Sequence, residues 1–112
     1  MIIAICGSMR YRAYMDEVER RLIRQGHIVL APTAAFRDCE GNFSAADKKA
    51  LDKQHIAKLV LAEAIYVVDV DGYVGESTKN EIAAFKSRRD SSLYETPIFF
   101  YSEENQPELV AS

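Results

Sequence analysis

The stretch Tyr66-Val67-Val68-Asp69-Val70-Asp71-Gly72-Tyr73-Val74-Gly75-Glu76-Ser77-Thr78-Lys79-Asn80-Glu81-Ile82 holds a strand, a turn and a helix start in one short segment. Residues 64–70 are largely apolar and β-branched, as a strand covered on both faces is. Gly72 and Gly75 break the run. Thr78-x-x-Glu81 has the form of a capping box, with Ser77 as an alternative N-cap. Asp69 and Asp71 stand where the strand ends. In an open parallel sheet that edge is where ligands bind.

Working outward, residues 2–6 form an apolar run closed by Gly7 and Ser8, a first strand. Residues 11–25 carry Tyr11, Tyr14 or Met15, Val18 and Leu22 at helical spacing, and Gly26 is placed to end that helix. Residues 27–31 make a second strand, stopped by Pro32. Residues 33–44 show no period and form a long loop. Ser44 can cap a second helix reaching about residue 62, with Asp47 at N3 and Leu51, Ile56, Leu59 and Val60 as its apolar face. A third helix over 78–88, a polar connection at 90–95 and a fourth strand at 97–101 follow. Residues 103–112 show no pattern. The alternation β-α-β-α-β-α-β predicts one three-layer α/β domain of flavodoxin- or Rossmann-like form. Its parallel sheet has about four strands, and right-handed crossovers favour the order 2-1-3-4. The switch point between strands one and three brings residues 7–10 and 69–81 to one crevice.

Composition narrows the function classes. The chain has 112 residues, 48% of them apolar, which suits one globular domain with a real core. A net charge of −3 without a basic run argues against nucleic acid as the partner. No apolar stretch approaches a membrane span. The Met1 start reads as a strand rather than a signal peptide. Cys6 and Cys39 have neither disulfide-framework nor metal-ligand spacing, so the expectation is a reduced, cytoplasmic protein without a metal.

Each crevice residue has two readings. Gly7-Ser8-Met9-Arg10 is either an ordinary strand-to-helix turn or an anion site of backbone amides with the Arg10 fork. Ser77 and Thr78 cap a helix and also offer hydroxyls and amides to a ligand. Glu81 is either a capping-box carboxylate or a nucleophile for glycosyl transfer with retention. Asp69 and Asp71 are either solvated strand-end acids or groups that hold sugar hydroxyls and a leaving base. Cys6, at a strand end near the crevice, reads as a small buried hydrophobe before it reads as a thiol catalyst.

Gly7-Ser8-Met9-Arg10 after strand one, with Asp69-x-Asp71-Gly72-Tyr73-x-Gly75-Glu76-Ser77-Thr78-x-x-Glu81-Ile82 after strand three, resembles the nucleoside 2-deoxyribosyltransferase superfamily. That superfamily includes the 2′-deoxynucleoside 5′-monophosphate N-glycosidases. The resemblance implies Glu81 as nucleophile and a 5′-phosphate on Gly7, Ser8, Met9, Arg10 and Ser77, with Gly75 and Thr78 in the same turn. It further implies a tyrosine helper at Tyr11 or Tyr14, no metal or organic cofactor, and a homodimer whose partner often completes the site. At the place of the family's base-handling aspartate stands His55, with Asp52 one turn earlier; a histidine can still donate a proton near neutral pH. His55 also shares four-residue spacing with Leu51 and Leu59, as a partly buried structural histidine does. The expectation is cleavage or exchange of the N-glycosidic bond of a (deoxy)nucleoside or its 5′-monophosphate, with His55 or Asp69 as acid. The alternatives are a nucleotide-binding module without turnover and a purely structural interaction domain. Tyr14, Met15 and Phe36 are the apolar residues that would face a partner.

Overall fold

The computed structural model describes residues 1–33, 44–87 and 97–104. The expectations for Phe36, Cys39, the connection at 90–95 and the tail beyond residue 104 lie outside those residues. Four strands, β1 (Ile2–Gly7), β2 (Ile28–Leu30), β3 (Ala64–Val68) and β4 (Ile98–Phe100), pair in parallel in the order β2-β1-β3-β4. The anticipated α/β topology and strand order are those of the molecule.

Strand parity explains the continuous apolar runs. Ile3 and Ile5 of β1, with Ala64, Tyr66 and Val68 of β3, pack on Met15, Val18 and Leu22 of helix α1 (Arg12–Arg24). The alternate residues Ala4, Cys6, Ile65 and Val67 pack on Leu59 of α2 (Ala45–Leu61) and Phe85 of α3 (Glu76–Ser87). Both faces of the central strands are thus covered, which requires apolar side chains at every position. Met15 belongs to this core. Tyr14 is 40% exposed, with its ring edge-on to Tyr11 and Tyr101.

The helix ends follow their sequence signals unevenly. Gly26, at φ +91°, closes α1: its N–H donates to the Ile23 carbonyl at 2.9 Å while His27 N–H donates to Leu22 at 3.1 Å. This paired closure needs the left-handed residue that glycine supplies. A short 3-10 turn, Met9–Tyr11, precedes α1. At α2, Ser44 Oγ accepts from Asp47 N–H and Asp47 Oδ2 accepts from Ser44 N–H, both at 3.1 Å, completing the capping box.

Four expectations change. In α2 the stripe Leu51, His55, Leu59 turns inward, while Ile56 and Val60 are 43% and 58% exposed. A four-residue step keeps to one face, and residues 56 and 60 stand about 100° around the axis from 55 and 59. β3 stops at Val68, and the chain passes through a 3-10 turn, Val70–Gly72, with Asp71 at φ +55° and Gly72 at φ +78°. Helix α3 starts at Glu76, two residues before the Thr78 start, with Gly75 accepting the first helical bond from Lys79 N–H at 3.0 Å. Beyond β4, shorter than the expected strand to residue 101, a four-residue helix α4 (Tyr101–Glu104) occupies part of what read as patternless sequence.

Candidate functional site

The earlier start of α3 decides the character of Glu81. As the sixth residue of that helix it lies beyond the N3 position, so it does not tie off its own helix end. Its side chain turns inward to a cavity of about 630 Å³ at the C-terminal edge of β1. That volume is within the range of small-molecule sites, roughly 300–1,000 Å³. Gly7, Ser8 and Met9 form one wall. Gly75, Ser77 and Thr78 form another, α2 supplies Lys48, Asp52 and His55, and Pro32 and Thr33 close the β2 side. Lys58 steadies that last wall: its ammonium donates to the Ala31 carbonyl at 2.7 Å and to Thr33 Oγ1 at 3.0 Å. Burial holds its pKa below the ordinary lysine value.

Two chemically active groups, His55 and Glu81, meet at the cavity floor, with a third, Cys6, fully buried behind them. Glu81 Oε2 is 3.2 Å from His55 Nε2, and the two side chains are only 20% and 13% exposed. The Glu81 carboxylate also lies against the Cys6 thiol as a charged hydrogen-bond acceptor. Burial first, then that neighbouring negative charge, pushes the Cys6 pKa well above its ordinary value. A thiol so held is not a nucleophile. His55 Nδ1 and Glu81 Oε2 are buried without any hydrogen bond; the Glu81–His55 contact has ion-pair distance but not hydrogen-bond direction. Buried polar atoms are ordinarily satisfied, and an unmatched one costs about 1–3 kcal/mol. Two together in a cavity wall mark a place arranged for something other than stability.

Of the residues singled out in sequence, Glu81, His55, Gly7, Ser8, Met9, Gly75, Ser77 and Thr78 come together around this cavity. Four do not. Asp69 is buried, and its two carboxylate oxygens accept from Ser102 N–H at 2.8 Å and Ser102 Oγ at 2.7 Å. It anchors the first turn of α4, whose free amides need an acceptor. Asp71 is exposed on the 3-10 turn. Arg10 swings onto the face of Tyr73, its guanidinium carbon 4.6 Å from the ring centroid. Tyr11 is packed edge-on between Tyr14 and Tyr73. Gly7 has a packing role as well: a β-carbon there would meet Val68 O at 3.2 Å and Met15 Sδ at 3.3 Å.

The cations that line the cavity are Arg12 and Lys48, neither singled out in sequence. Arg12, the first residue of α1, lines the cavity in place of Arg10, which lies in the preceding 3-10 turn and stacks on Tyr73. Lys48 was legible: Lys48, Asp52 and His55 stand at four- and three-residue spacing and share one helix face. Lys48 Nζ is 3.3 Å from Asp52 Oδ2 at the rim.

In comparison with known proteins, the chain matches no family model, no curated protein and no solved structure.

Proposed function

We propose that this protein cleaves or exchanges the N-glycosidic bond of a (deoxy)nucleoside or its 5′-monophosphate, with Glu81 as nucleophile. The observation that carries the proposal is the Glu81 carboxylate itself. It is inward-facing, free of any capping duty, and set among two amide-rich turns in a nucleotide-sized cavity. The resemblance noted in residues 7–10 and 69–82 supports the same chemistry.

In this mechanism a Glu81 oxygen attacks C1′. The C1′–N bond breaks, its electron pair leaves with the base, and a glycosyl ester forms on the enzyme. His55, protonated, gives its proton to the departing base. Asp69 is withdrawn from that role by its bonds to Ser102, which leaves His55 and the rim residue Asp52 as acids. Water, or a second base, then releases the sugar. A 5′-phosphate suits the amides and hydroxyls of Ser8 and Ser77, with Arg12 and Lys48 adding positive charge.

The test is incubation with deoxynucleoside 5′-monophosphates, and with nucleosides plus free acceptor bases, followed by chromatography. Base release that disappears in Glu81→Ala supports the proposal. No release by the wild type, or full activity in Glu81→Ala, sinks it. A second reading, nucleotide binding without turnover, draws on one observation: the withdrawal of Asp69 leaves the buried floor of the cavity with one carboxylate. Strong thermal stabilisation by a nucleotide recovered intact favours that reading.

A further inference from the structure

We propose that Cys6, His55 and Glu81 form a binding site for a thiophilic divalent cation, zinc foremost, with one coordination position open to the cavity. The three side chains come from β1, α2 and α3. Their ligand atoms, a thiol sulfur, an imidazole nitrogen and a carboxylate oxygen, all lie within 4.8 Å of one another. Zinc bonds of about 2.0–2.3 Å at tetrahedral angles place neighbouring ligand atoms roughly 3.3–3.8 Å apart. The 3.2 Å between His55 Nε2 and Glu81 Oε2 is close to that spacing already. The rest of the triangle closes by movements of about 1 Å, small for side-chain rotation.

The donor set chooses the ion. Magnesium and calcium take oxygen ligands and keep or gather several of them, so a sulfur-nitrogen-oxygen trio excludes them. One thiolate, one imidazole and one carboxylate suit zinc, and three protein ligands with a vacant fourth position are the arrangement of reactive zinc sites. Charge also balances. On binding, the Cys6 S–H bond breaks, its proton passes to solvent and a zinc–sulfur bond forms. Thiolate and carboxylate together neutralise the dication, so the buried site carries no net charge. Glu81 Oε2, buried without a hydrogen bond, acquires a cation to bind.

The two cysteines gave no ligand spacing in sequence because residues 6, 55 and 81 meet only through the fold. This site shares Glu81 and His55 with the proposed sugar chemistry and competes with it for both side chains. Metal binding is therefore measured without substrate, and base release in the presence of a chelator, so either proposal can fail alone.

The experiment uses the full chain stripped with chelator and titrated with zinc against a chromophoric competitor, then with cobalt(II) as a spectroscopic stand-in. The expected result is one equivalent of zinc, a raised Tm, and a cobalt complex with a thiolate-to-metal charge-transfer band and four-coordinate d–d bands. Cys6→Ser and His55→Gln should each lower affinity at least about a hundredfold, beyond what loss of an outer-shell partner does. Cys39→Ser and His27→Gln should leave it unchanged; the latter is the control for the pair of His27 Nδ1 and the N-terminal amine at 3.1 Å. Should Cys6→Ser fail to fold, the charge-transfer band in Cys39→Ser still assigns the sulfur. Substoichiometric binding, a spectrum without a thiolate band, or loss of the band in Cys39→Ser would overturn the proposal.

Discussion

Two regions at the ends of the same strands treat polar groups in opposite ways. At the α4 corner Asp69, Ser102, Tyr66, Arg21 and Glu104 all have hydrogen-bond partners. Asp69 takes two hydrogen bonds from Ser102, and the Tyr66 hydroxyl donates to Glu104 Oε2 and accepts from Arg21, each at 2.7 Å. Arg21 and Glu104 close the triangle at 3.0 Å. At the cavity, on the α2–α3 side, His55 and Glu81 are held close with buried atoms left unmatched. Two of the carboxylates that follow β3, Asp69 and Glu81, each open to a structural and a chemical reading in sequence, therefore part ways. The one at the strand end is structural, and the one inside the helix is chemically available.

The contrast is broken most forcefully at Glu81. Glu81→Gln keeps the shape and removes the charge. Under the proposed mechanism base release falls by about a thousandfold or more, as when a nucleophile is lost. Stability changes by no more than about 1 kcal/mol, because Oε2 has no hydrogen bond to lose and the amide oxygen can still accept from the Cys6 thiol. Paired kinetic and denaturant measurements check this. A strongly destabilised variant would place Glu81 in the same structural class as Asp69.

Asp69→Ala tests the opposite corner. It removes a buried acceptor and leaves the Ser102 N–H and hydroxyl unmatched, which costs about 2–4 kcal/mol. At this chain length Tm should drop by roughly 4 °C or more per kcal/mol. Any turnover per folded molecule should persist. Loss of activity at unchanged Tm would return Asp69 to the reaction and remove the contrast.

These two residues also show what the sequence carried and what it hid. Period and glycine placement were enough for the sheet order, because burial on both faces of β1 and β3 forces apolar runs, and Gly26 has the left-handed conformation its place demanded. Ser44 and Asp47 signalled a helix start by a mutual pair of bonds that is local in sequence. The start of α3 was misread because Thr78-x-x-Glu81 has the same form, while the actual cap is the Gly75 backbone. Asp69 was misplaced because its partner, Ser102, lies on a four-residue helix too short to show a period. The Cys6–His55–Glu81 cluster was invisible for a similar reason: its spacing exists only once three elements pack.

The α4 corner is sharpened by pH. Burial, and then the hydrogen bond to Glu104, raises the Tyr66 pKa far above the ordinary tyrosine value. The folded state therefore holds the phenol proton where the unfolded chain has lost it. That contribution is fully present below the unfolded value of about 10 and is lost as pH rises toward the folded value. The slope of stability against pH above about 10 should be shallower in Tyr66→Phe than in the wild type, measured by urea unfolding. Identical slopes would mean that the phenol is already solvated.

The smallest effect concerns the scaffold that presents His55 to the cavity. α2 buries only Leu59 fully, so much of its order depends on its N-terminus, where Ser44 and Asp47 satisfy each other's amides. Ser44→Ala should cost about 1 kcal/mol. The loss should appear as faster amide exchange in the first turns of α2, with the sheet unaffected. Gly75→Ala at the cap of α3 should cost less than Ser44→Ala. The new β-carbon meets the Tyr73 side chain alone, its hydroxyl at 3.3 Å and its ring carbons at ordinary contact distance, and a glycine cap has no side-chain acceptor to lose. If instead Gly75→Ala proves the costlier change, the α3 terminus would be the rigid wall of the cavity and α2 the adaptable one, the reverse of the caps as they stand.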